Sequence, residues 1–289
     1  MELFFLISGA VYYCFNYKKY IGKRVDRILV PLLFVGIIAI LFHAFGGDAV
    51  HKHSSFTDGV IGLILQGNPY WFLYTLFIIC AVYPLIEKLC PNIYWELGLA
   101  AVIIFVRCFV EFPILLRLSH VMKYLPYFII GRGLVNEMRK EVKIWPSILA
   151  SVVCLALYAL LWRLNLKVEA INYIRAFAMM IPFFFLTRML LFVERKQSVI
   201  GTLQKVINNF LRSASKYSLQ AYLFNGFVLV ASRVFIVNIL HITNPVIVIP
   251  FIVFANFAIT LPVCELILSR LRVAGWLFGV RPFPLRKTE

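Results

Sequence analysis

Apolar runs of 16 to 24 residues, nine in succession, leave this chain few ways to fold. They fall at about 1–17, 28–47, 68–87, 93–111, 121–136, 144–162, 171–193, 217–237 and 246–269. A helix rises about 1.5 Å per residue, so roughly 20 apolar residues match the ~30 Å hydrocarbon layer of a bilayer. Only helices and closed barrels satisfy the backbone in lipid, and these runs are too long for barrel strands. The expected fold is all-α: a polytopic transmembrane helical bundle of about nine spans. No soluble domain or low-complexity linker interrupts it, so one membrane domain is read over 1–271, followed by a basic tail over 272–289. At 62% hydrophobic and 15% charged residues, the chain has more apolar surface than a soluble core of 289 residues would bury.

The net charge of +16 is carried by the short connections between runs. Nucleic acid is therefore not an expected partner, since no solvated basic face is available. Counted over alternate connections, one side holds 19 Lys and Arg, in 18–27, 87–92, 137–143, 194–216 and the tail from 270. The other side holds five: Lys52, Arg117, Lys123, Arg163 and Lys167. The positive-inside rule then places the KKYIGKRVDR connection and the C-terminus in the cytoplasm. Met1 falls on the outer side, at the start of a run, with no basic region or small-residue cleavage pattern of a signal peptide.

Six cysteines are scattered without a CxxC pair and indicate neither a disulfide framework nor a zinc site. His43, His51 and His53 gather near Asp48, but their Gly-containing loop is weak evidence for a metal, and no metal site is assigned. Arg107, Arg132, Arg175, Arg188 and Arg233 fall inside apolar runs. The last three lie near enough to span ends to snorkel, whereas an arginine near a span centre costs about 2.5–3.5 kcal/mol and normally faces a wet cavity or a carboxylate. Glu111 follows Arg107 by four residues on one helical face, which allows an internal ion pair. Arg107, Glu111, Arg132 and Trp71 are thus candidates for an intramembrane polar site. Arg24 and Arg27, at i and i+3, would form a fork able to grip phosphate oxygens if one helical turn carried both, and would equally serve as a positive-inside anchor.

Five stretches occur in characteristic order: FFLISGA (Phe4–Ala10), KRVDR (Lys23–Arg27) followed by Pro31, NPYWFLY (Asn68–Tyr74), YLPYFIIG (Tyr124–Gly131) and YSLQAYLF (Tyr217–Phe224). In order and spacing they resemble the acyltransferase 3 family of bacterial integral-membrane O-acyltransferases. The resemblance spans essentially the whole chain and implies transfer of an acyl group, usually acetyl, from a coenzyme A thioester to a sugar hydroxyl of a surface polysaccharide or its lipid-linked precursor. It also implies the bacterial cytoplasmic membrane as location, acyl-CoA as donor rather than a bound cofactor, and phosphate contact as the role of Arg24 and Arg27. Ser8-Gly9 match the family's small pair, read as close helix packing, and Trp71 matches a tryptophan that is equally an interfacial anchor.

Two departures stand out. Asn225 occupies the place where the family usually carries a histidine after its late YL. The family's complete fold has ten helices, and its additional first helix, carrying an arginine and the histidine assigned as general base, has no counterpart before Met1. The catalytic residue is therefore unassigned, and the expectation is a chain lacking that helix, with a truncated or degenerate, inactive form as one alternative. A polysaccharide-intermediate transporter of the same fold is another, with Arg107, Glu111, Arg132 and Glu265 lining its path.

Overall fold

A computed structural model describes residues 1–45, 56–90, 92–110, 117–134, 144–164, 169–195, 216–239, 241 and 244–280. Every regular element among them is helical. In chain order they are α1 (Glu2–Ala10), α2 (Tyr17–Arg24), α3 (Val30–Phe45), α4 (Phe56–Gln66), α5 (Trp71–Leu89) and α6 (Ile93–Phe109). Then come α7 (Leu118–Gly133), α8 (Ile144–Leu164), α9 (Glu169–Arg195), α10 (Ser218–Arg233), α11 (Pro245–Pro262) and α12 (Arg272–Leu277). Wider π-helical turns join α2 to α3 (Val25–Leu29) and extend α10 (Val234–Ile239) and α11 (Val263–Leu268).

Helices begin where the sequence supplies a cap. Asn16, Asn92 and Asn244 each accept a backbone N–H of the following turn through the side-chain oxygen, and Pro245 follows the last of them at the first helical position. Stretches long and apolar enough to cross a membrane run over Tyr17–Phe42, Phe56–Leu89, Trp145–Leu164, Glu169–Leu186, Ser218–Ile236 and Val248–Leu268. The chain is an integral membrane protein built as a polytopic helical bundle.

The last six expected spans match α6 to α11 and their π-helical extensions to within about three residues at each end. The first does not hold as read. The run over 1–17 is broken at Val11, leaving in α1 a nine-residue helix, about 14 Å long and well short of the bilayer core. Asn16 then starts a new helix, which passes through the π turn into α3, so the second span begins near Tyr17 rather than 28. Apolarity could not reveal this boundary. A polar cap decides it, inside a run that hydropathy alone treats as continuous.

The chain divides into two compact units: Met1–Phe15 with Ala81–Gln204, and Asn16–Cys80 with Lys205–Glu289. In the first unit α1 and α7 meet backbone to backbone, the carbonyl of Phe128 lying over Gly9 and that of Leu6 over Gly131. A Cβ at either glycine would sit 1.9 Å from that oxygen, so only glycine permits the approach. Around this crossing Phe5 stacks on Tyr124, while Tyr12, Tyr83 and Phe128 contact one another edge-on. Tyr127 stacks on Tyr173 and α8 presents Leu149, Val152, Val153 and Leu160 outward, as expected of a lipid-facing helix.

The second unit is held by buried polar contacts as well as packing. Tyr70 donates its hydroxyl to the Leu223 carbonyl at 2.9 Å, closing α5 on α10. Asn256 on α11 donates to the Ala221 carbonyl and to Asn225 Oδ1, and Thr260 donates to Asn256 Oδ1. Asn225, at the family's histidine position, is thus a partner in this interhelical seam. Tyr217, Cys264 and Leu268 form a buried cluster against which Ala274, Phe278 and Val280 pack.

The glycine crossing makes a direct prediction. Gly9→Ala must push α1 off α7 and should destabilise the protein by about 1–3 kcal/mol or more, seen as a lower melting temperature in detergent. Gly98→Ala on α6, where a Cβ meets nothing within 4 Å, should be neutral or slightly stabilising. Equal melting of the two variants would contradict the close approach.

Candidate functional site

The basic turn lies in the second unit, where α2 is polar and carries Lys18, Lys19, Lys23 and Arg24. Arg24 is half-buried, its guanidinium 5.0 Å from the centre of the Tyr20 ring, a cation–π contact that fixes its direction. Tyr20 is buried, and Cys80 of α5 and Arg24 are its electrostatic neighbours. Arg27 is exposed on the π turn that begins at Val25. That wider turn changes the angle between positions three apart, so the pair is not the parallel fork of an uninterrupted α-turn. Arg24 is pinned against an aromatic ring, and Arg27 is open to solvent.

The turn is buttressed from the far end of the chain. Asp26 Oδ1 lies 3.5 Å from Trp276 Nε1, and the Arg27 carbonyl faces Gly279. Lys216, just before α10, sits 4.7 Å over the Tyr217 ring. Hydrogen bonding to the Tyr217 hydroxyl raises its ammonium above the usual lysine range, so it stays charged at neutral pH.

The candidates of the first unit are brought to two separate places. Arg107 Nη1 donates to the carbonyl and hydroxyl of Ser119 at 2.7 and 3.1 Å, and its Nη2 lies 3.7 Å from Glu169 Oε1. Glu111, the partner read from i, i+4 spacing, lies outside the described residues. Arg132 pairs with Glu87 Oε1 at 3.6 Å and lies over the Tyr12 ring, while Tyr12 donates to Glu87 Oε2 at 2.7 Å. Tyr83 donates to Glu96, a carboxylate only 4% exposed, and adjoins the same group.

Ser119 and Arg132 lie near opposite ends of α7, 13 residues or about 20 Å apart along its axis. Arg107 and Arg132 therefore do not converge on one intramembrane site. Trp71 belongs to the second unit, at the start of α5, edge-on to Phe72. Arg175 donates to the Leu161 carbonyl near the end of α8. Glu265 is exposed, and His51 and His53 lie outside the described residues.

Sequence reasoning missed Tyr12, Glu87, Glu96 and Glu169. Each sits at or near a span end and reads as an ordinary interfacial residue. The one available signal was the rule that an arginine kept in lipid needs a carboxylate, which says that a partner exists but not which.

The profile of the acyltransferase 3 family, described as an acyltransferase domain, matches residues 1–265. No curated protein and no solved structure shows significant similarity to the chain.

The pairing in the first unit is testable by a double-mutant cycle. Glu87→Gln and Arg132→Gln should be non-additive, with a coupling of about 0.2–1 kcal/mol, because both side chains are 35% exposed and solvent screens the pair. Unfolding measured in detergent across the four proteins reads the term directly, and strict additivity would deny the contact.

Proposed function

The chain belongs to the acyltransferase 3 family of membrane acyltransferases, and from that premise we propose that it moves an acetyl group from acetyl-CoA to a sugar hydroxyl of a surface polysaccharide or its lipid-linked precursor. In this reading it sits in the bacterial cytoplasmic membrane with its C-terminus inside. The observation that carries the reading is the exposed Arg27 beside ring-fixed Arg24, on a turn rich in cations. Coenzyme A carries a diphosphate and a ribose phosphate, and a guanidinium donates two parallel hydrogen bonds to such groups where a lysine donates from a point charge.

The reaction needs placement and a base to take the hydroxyl proton, and that base is unassigned in this chain. The sugar oxygen attacks the thioester carbonyl, the C–S bond breaks, and the hydroxyl proton is delivered to the departing thiolate. Holding the donor by its phosphates makes the attack effectively intramolecular once the acceptor is bound. Glu265 is exposed, and Arg107 and Arg132 are each engaged at their own end of α7, which weakens the transporter alternative built on them.

In the active enzyme, Arg24→Ala or Arg27→Ala should raise KM for acyl-CoA about tenfold or more, with lysine replacements recovering only part of it. Wild-type kinetics in both alanine variants, at normal membrane levels, would reduce the pair to an anchor. The orientation has its own test. In a cysteine-free background, a single cysteine at Arg163 should be labelled on intact cells by a membrane-impermeant thiol reagent, and one at Lys19 should not. The reverse pattern would invert the topology.

A further inference from the structure

Residues 272–280 lie beyond the stretch that matches the family, yet in the second unit they are fastened to the turn that bears Arg24 and Arg27. Trp276 and Gly279 reach the turn, and Phe278 anchors the segment beside it. Trp276 Nε1 points to Asp26 Oδ1, the acidic residue between the two arginines, at 3.5 Å. Phe278 is sandwiched, stacked on Phe224 of α10 and edge-on to Phe34 of α3, each at 5.3 Å. Gln220 donates to the Phe278 carbonyl at 3.1 Å. Gly279, at φ +71, lies so close that a Cβ there would meet Pro31 Cγ at 2.7 Å and the Arg27 carbonyl at 3.0 Å.

The segment is itself a folded unit rather than an extended tail. The short helix α12 is closed by Gly279 N–H donating to Trp276 O and Val280 N–H to Gly275 O, at 2.9 and 2.8 Å. A left-handed glycine turn of this kind suits a helix end and leaves the following chain free to turn against its neighbour. The Phe278 contacts anchor it in the core of the unit. Trp276 and Gly279 do something else, since they touch the backbone and the acidic residue of the basic turn itself. A π turn is a rare single-turn departure from the α-helix, frequent at functional sites, and the contacts from α12 fall on it.

We propose that the segment Arg272–Val280 is a strap that positions the Arg24–Arg27 turn for the phosphates of the acyl-CoA donor, with Trp276 and Gly279 as its positioning residues. This rests on the reading of Arg24 and Arg27 as donor-binding. Neither Trp276 nor Gly279 touches the donor; each acts through Asp26 or the Arg27 backbone.

The test uses the full chain in nanodiscs, with coenzyme A as the titrated probe and the melting temperature without it as a second readout. Trp276→Phe keeps a ring but removes the donor, and Gly279→Ala adds one methyl group against the Arg27 carbonyl. Trp276→Phe should weaken coenzyme A binding about 3–10-fold, the scale of one hydrogen bond, with little change in melting temperature. Gly279→Ala, at a positive φ and against Pro31 and the Arg27 carbonyl, should weaken binding and lower the melting temperature together. Arg24→Ala and Arg27→Ala, titrated in parallel, test the donor site. If the arginine variants lose affinity while Trp276→Phe binds like wild type, or loses affinity only in step with melting temperature, the strap is refuted and the donor site stands. If the arginine variants bind coenzyme A normally, the donor reading fails and the strap with it.

Discussion

In hydrocarbon a polar group without a partner costs several kcal/mol, and that cost governs how this chain is built. It makes every span a helix, and it decides where side chains with donors and acceptors can go. Tyr70 spends its hydroxyl on the Leu223 carbonyl, and Asn256 spends its amide on Ala221 and Asn225. Arg107 and Arg132 survive within apolar sequence because serine and glutamate oxygens and the face of the Tyr12 ring meet them. Each contact joins helices that lipid would otherwise leave indifferent to one another, since between apolar surfaces in a bilayer there is no hydrophobic drive to associate. The glycine crossing of α1 and α7 is the complementary device: backbones approach until packing holds them.

What was legible in the sequence follows from the same physics. Span positions from α8 onward could be read because hydropathy measures directly what lipid selects, and Ser8-Gly9 could be read as close packing because small residues there have few other uses. The break after α1 was not legible, because Asn16 is a single polar residue at the edge of an apolar run and its capping role depends on a backbone direction. Partners of the intramembrane arginines were hidden for another reason. Glu87 is 45 positions from Arg132, and Glu169 is 62 from Arg107, so no local spacing links them. The i, i+4 reading favoured Glu111 because it was the only carboxylate that helical geometry could put beside Arg107 without knowing the fold.

The RxxR motif shows where spacing alone is insufficient. Three residues apart in an α-helix would make Arg24 and Arg27 equivalent, but the π turn starting at Val25 separates their roles. One guanidinium lies over the Tyr20 ring and the other is exposed. Asp26, between the two arginines, is met by the indole N–H of Trp276.

The first unit is packed with rings. Its two ion-paired ends, Arg107–Glu169 and Arg132–Glu87, lie about 20 Å apart along α7, and the space between is filled by Phe5, Tyr83, Tyr127 and Phe128, all at most 1% exposed. Interiors packed with rings at crystal-like density leave no continuous column of water. A hydrated sugar moving between the ends would have to shed its hydrogen bonds against faces that offer none in return. A cavity of about 560 Å³ in this unit, between α1, α7, α8 and α9, is lined by Leu3, Leu6, Phe177, Met180 and other apolar side chains, so it suits hydrocarbon and not a glycan. The core of the first unit is therefore a wall rather than a passage. Its paired arginines hold helices in register at each end.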